Sequence, residues 1–135
     1  MTIDLNQYIG VPYLNQGRTA KGWDCYGLVK ELYRLHKNIT LPDWQVDAYS
    51  RIAVAHTMTS EISNEVNLGY ATQVIHPIDW DIVTVARHRA AHHIGLYMQG
   101  GVLHCASAGR TQWNEWSKFQ RLYLGDKVRC YRWLR

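Results

Sequence analysis

The chain has 135 residues, a formal net charge of +4 at pH 7 and 47% hydrophobic residues. That length suits one domain, residues 1–135, around one core. The composition excludes several classes: three cysteines without a Cys-x-x-Cys pair argue against a disulfide framework or a cysteine-rich zinc site, no apolar run reaches transmembrane length, and the late-gathering basic residues accompany no nucleic-acid motif.

Met1-Thr2-Ile3-Asp4-Leu5-Asn6 has neither a basic start nor an apolar run, so no secretory signal is expected, and the chain is read as made in the cytoplasm. Thr2 to Ile9 reads as a short helix with Thr2 as its cap. A small, polar, Gly-rich loop, Gln16 to Gly22, follows. Leu28, Val29, Leu32 and Leu35 then recur at helical spacing, which predicts a helix from Cys25 to about His36. Pro42 blocks its continuation, and Ile52, Ala55, Met58, Ile62 and Val66 predict a further helix over roughly 46–66.

From Ala71 the pattern changes to short β-branched runs. Strands are expected at Gln73–His76, Asp81–Ala86, His93–Met98 and Val102–Ala106. Arg87 to Ala91 reads as a turn, and Gln99-Gly100-Gly101 as a hairpin signal. A polar loop around Ser107 to Thr111 leads to a closing pair, Arg121–Leu124 and Val128–Trp133, joined by Gly125-Asp126. Helices first and antiparallel strands second make an α+β domain.

Cys25 carries the chemistry. At a helix start, unpaired backbone N–H groups and the positive end of the helix dipole favour a thiolate, the reactive form of cysteine. A small buried residue in a first helical turn is the competing reading. A base elsewhere separates the two. His93 and His104 lie on consecutive strands across a tight turn, where one imidazole can take the thiol proton and the other can orient it. His92, adjacent to His93, is expected on the opposite strand face. His88, His92, His93, His104 and Cys105 also offer metal-ligand chemistry, but their irregular spacing does not match a zinc site, so no metal or other cofactor is expected.

Four blocks then converge on a family. Tyr13, Asp24-Cys25-Tyr26-Gly27-Leu28-Val29, Asp81-Ile82-Val83, His93-Ile94-Gly95-Leu96-Tyr97 and Leu103-His104-Cys105-Ala106 resemble, in order and spacing, the NlpC-type papain-like cysteine peptidases of bacterial cell walls. The resemblance implies a papain-like core, N-terminal helices on a central antiparallel sheet. It implies hydrolysis of amide bonds in peptidoglycan stem peptides, commonly between D-Glu and diaminopimelate. By residue match, Cys25 is the nucleophile, His93 the base and His104 the orienting residue, while Tyr13, Asp24 and Tyr26 serve the oxyanion or substrate. Two positions depart from the family pattern: Tyr26 replaces the usual Ser, and Trp80 stands where Gly normally precedes Asp81. The Tyr26 variant, Leu41-Pro42-Asp43 and the Arg-rich closing strand look like the phage-tail branch, which implies tail-tip proteins as partners and a virion that carries the enzyme to the wall. A catalytically silent tail protein, a delivered toxin and an intracellular amidase are the alternatives on the same fold.

Overall fold

The computed structural model describes residues 3–42, 62, 66, 68–87, 90–107 and 109–134. Helix α1 spans Cys25–Lys37. Asp24 starts it: its backbone is extended, and its carboxylate accepts the Gly27 N–H at 2.6 Å, satisfying one of the orphan donors of the first turn. Leu28, Val29 and Leu32 form the buried stripe, each stabilising by roughly 1.5–3 kcal/mol on burial. Asn38 ends the helix in the left-handed conformation, φ +54°.

Ahead of α1, β1 (Arg18–Thr19) and β2 (Gly22–Trp23) make a small hairpin that presses on the helix start. The approach is too close for side chains. A Cβ on Gly27 would lie 2.0 Å from the Gly17 carbonyl oxygen, and one on Gly17 would lie 2.3 Å from that of Gly22. The glycines therefore fix the loop against the first turn of α1.

The remaining strands are β3 (Ala71–Val74), β4 (Ile82–Arg87), β5 (Ala90–Met98), β6 (Gly101–Cys105), β7 (Thr111–Glu115) and β8 (Lys127–Trp133). They form one antiparallel sheet in the order β3-β8-β4-β5-β6-β7, with helix α2 (Trp116–Leu122) between β7 and β8 in sequence. Alternation divides the side chains between two cores. Ile82, Ile94, Leu96, Leu103 and Cys105 pack with Leu28, Val29 and Leu32 of α1. Val83, Val85, Val102 and Cys130 pack with Phe119 of α2. Gln99 and Gly100, both at positive φ, close the β5–β6 hairpin. The N-terminal segment is stitched to β7 through Thr111, whose hydroxyl accepts from Trp23 Nε1 at 2.7 Å and donates to the Val11 carbonyl at 2.9 Å.

Several expectations change. The N-terminal element is a single 3₁₀ turn, Leu5–Gln7, capped by Asp4 rather than Thr2. The strand expected at 73–76 is β3, shifted two residues earlier. The turn expected at 87–91 is shorter, because Arg87 closes β4 and Ala90 opens β5. Arg121–Leu124 is no strand: Arg121 and Leu122 end α2, and Tyr123 turns the chain. Apolar and aromatic residues crowd that stretch, yet Trp116, Phe119 and Tyr123 recur at three and four, which is helical spacing. Thr111 opens a strand, β7, where a loop was expected to end. The helix expected over 46–66 falls almost wholly outside the described residues.

Candidate active site

Cys25 is the first helical residue of α1, and the carboxylate before it is occupied as the cap. Two backbone N–H groups, those of Tyr26 and of Ile94 on β5, point to its sulfur and favour the thiolate. Burial, and after it the Asp24 charge, outweigh them and push the thiol up to about 12. An acidic thiolate was expected at this helix start. The donors are there, and burial opposes them. The Ile94 contact also fixes where α1 meets the sheet, one residue from His93.

The candidate base is built across three neighbouring strands. His104 of β6 stands opposite Gly95 of β5, so His93, two residues earlier on the same face, is its diagonal neighbour. Gly95 makes room, since a Cβ there would lie 2.8 Å from Val102 Cγ1 and 3.0 Å from His104 Cβ. His93 Nε2 lies 2.9 Å from His104 Nδ1, and His104 Nε2 lies 2.7 Å from Oδ1 of Asn114 on β7.

These two bonds set the tautomers. An amide oxygen only accepts, so His104 carries its proton on Nε2 and presents a lone pair on Nδ1. His93 then donates from Nε2, which leaves Nδ1 as its basic nitrogen. The scheme requires both rings to be neutral. Burial, then the neighbouring His104 and His92, lower His93 to about 3. Burial lowers His104 as well, opposed by its bond to Asn114. A neutral imidazole can serve as the general base for a thiol. Proton transfer between them creates an ion pair whose attraction is strengthened by the low-dielectric surroundings.

Sequence reasoning missed Asn114. It is a buried polar residue on an edge strand, and its nearest signal is an Asn inside a short Thr-Gln-Trp-Asn-Glu run with strand alternation.

His92 is not simply on the opposite face. Val85 pairs with His93 and Ala86 with Ala91, so His92 is the extra residue of a β-bulge. The bulge turns its ring toward Tyr123, at 6.2 Å between centroids, while its Nε2 lies 3.1 Å from the Asp126 carboxylate.

The three other candidates are placed differently from one another. Tyr13 borders the site, and its phenol is raised to about 12 by burial and then by the Cys25, Asp24 and Cys105 charges. Asp24 is buried, caps α1 and pairs with Arg18 Nη1 at 2.9 Å, so it braces the loop. Tyr26 is fully buried and donates its hydroxyl to the Pro42 carbonyl. It is a core residue in this structure.

A cysteine at the start of a helix, packed on an antiparallel sheet whose adjacent strands carry two linked imidazoles, is the papain-like arrangement. The model of the NlpC/P60 family matches residues 10–128, and the chain belongs to that family. Among solved structures, it is similar to the NlpC/p60 domain of peptidoglycan hydrolase SagA, with a TM-score of 0.59 at 15% identity over 92% of this chain and 89% of that one. No curated protein matches the chain.

Proposed function

We propose that the protein is a cysteine endopeptidase that hydrolyses amide bonds in peptidoglycan stem peptides. The observation that carries this is the hydrogen-bonded line Asn114–His104–His93, in a family fold whose first long helix opens with Cys25. The Cys25 thiol passes its proton to Nδ1 of His93, and the sulfur attacks the amide carbonyl. The Cys25 backbone N–H and the Tyr13 hydroxyl receive the developing oxyanion, a contribution worth about 3–4 kcal/mol per donor in such chemistry. His93 returns the proton to the departing amine. It then activates the water that hydrolyses the thioester, restoring the thiol.

The substrate bond we propose is that between D-Glu and diaminopimelate, and the setting a phage tail tip acting at the cell wall beside other tail proteins. The family supports a wall peptide as substrate. The likeness of Tyr26, Leu41-Pro42-Asp43 and the basic β8 to tail members supports the setting. Digestion of purified peptidoglycan followed by mass spectrometry of the fragments tests the reaction. Fragments ending at D-Glu, with a new diaminopimelate amine, are expected. Intact stem peptides after exhaustive incubation would overturn the reading and favour a structural protein on the same fold.

A further inference from the structure

The turn after α2 has no part in the mechanism above, yet it touches the base. Tyr123 lies on His93 with ring centroids 5.6 Å apart and planes 28° from parallel. The same ring lies 6.4 Å from His104 and 5.1 Å from Phe119, which itself meets His104 edge-on at 4.9 Å. Burial, followed by the Cys25 and Asp126 charges, raises the Tyr123 phenol, which puts this ring within electrostatic reach of the nucleophile.

The turn is tied down. The Asp126 N–H donates to the Tyr123 carbonyl at 2.9 Å, and Gly125 takes the positive φ of +95° that the turn needs. The Asp126 carboxylate accepts from Arg87 Nε at 2.9 Å and Nη2 at 3.3 Å, a forked contact to the end of β4. The bulged His92 of β5 reaches the same carboxylate. The bulge, the Arg87 fork and the Gly125 turn thus converge on one result, an aromatic ring laid flat on His93.

We propose that Tyr123, latched by Asp126 to Arg87 and His92, is a positioning residue that holds the His93 imidazole in its working orientation. The proposal rests on the reading of His93 as the general base. The hydrogen bond to His104 would not by itself stop the ring from rocking about that bond or turning over to exchange Nδ1 for Nε2. A second ring against its face blocks both motions. The aromatic face also favours the imidazolium that forms when Cys25 gives up its proton.

The test is nitrogen-15 NMR of the His93 ring in the full chain, beside stem-peptide kinetics, for the wild type and three variants. In the wild type, His93 is expected as one Nε2–H tautomer, with ring protons shifted upfield by Tyr123. Tyr123→Leu should lose the shift, show a second tautomer, and lower kcat by up to about 100-fold at unchanged KM, the scale expected when a reacting group is misplaced. Tyr123→Phe should behave as wild type, because the ring and not the hydroxyl carries the role. Arg87→Gln, at an exposed side chain, loosens the latch without disturbing a core and should lose part of the upfield shift. A single unshifted tautomer population and unchanged kcat in Tyr123→Leu would overturn the proposal, as would equal damage from Tyr123→Phe and Tyr123→Leu. If the wild type cleaves no stem peptide, the peptidase reading fails while the His93 spectra still decide this one.

Discussion

The proposed nucleophile and the proposed base are held by different means. Cys25 is held by backbone: it opens a capped helix, the Tyr26 and Ile94 N–H groups point to its sulfur, and a Gly-rich loop presses on the first turn. His93 is held by side chains, through a hydrogen bond to His104, the bond from His104 to Asn114, and the flat contact with Tyr123. Substitutions of the groups that hold Cys25 should therefore register as lost stability. Those on the His93 side should register as lost rate in a protein that still folds.

The largest expected effect lies on the side-chain side. His93→Ala should lower activity by about 10⁴-fold or more, since losing one member of a cooperative set costs on that order. It should remain folded at neutral pH, with a lowered thermal midpoint. A variant as active as wild type would separate the base from this strand.

Asn114→Leu comes next. Without the amide oxygen, nothing fixes the proton on His104 Nε2, and the tautomer of His93 loses its definition. A fall in kcat of about 10²-fold is expected, on the scale of outer-shell losses at other sites. Asn114→Asp should recover most of it, because a carboxylate oxygen also accepts. Equal loss in both variants, measured as kcat, would mean that packing rather than acceptance matters at this position.

The backbone side gives the third effect. A Cβ at Gly27 meets the Gly17 carbonyl at 2.0 Å, which a main-chain atom cannot easily yield. Gly27→Ala should cost about 1–3 kcal/mol of stability, seen in urea unfolding. An unchanged midpoint would show that the loop is free to move away, and would break the contrast between the two sides.

How legible each side was follows from the same contrast. The N-terminal helix could be read because its apolar stripe is local: Leu28, Val29 and Leu32 repeat at helical spacing. The hairpin carrying His93 and His104 could be read from alternation around Gln99-Gly100. Asn114 and Tyr123 could not be, since their meaning depends on β7 and α2 folding beside β6. The aromatic residues of α2 resemble a strand when taken one window at a time. The bulge at His92 was equally hidden, because it exists only in the pairing of β5 with β4. The burial that opposes a Cys25 thiolate was hidden for a related reason: the helix start is visible in sequence, whereas the depth of burial is not.

A smaller effect concerns pH. His93 titrates near 6.5 when unfolded and about 3 when folded. Between these values the unfolded chain binds the extra proton. The stability gained by burying the neutral ring is complete above the unfolded value and is lost as pH falls toward the folded one. Unfolding midpoints should therefore fall between pH 7 and pH 4, and less steeply in His93→Ala. Equal slopes in the two proteins would place the proton uptake on other groups.

The central claim is that Cys25 performs the hydrolysis. Wild type and Cys25→Ala, each shown to be folded by circular dichroism, should be given the same purified peptidoglycan while newly freed amines are counted. The account predicts steady release by the wild type and none above background by Cys25→Ala. Release by Cys25→Ala at the wild-type rate would contradict it.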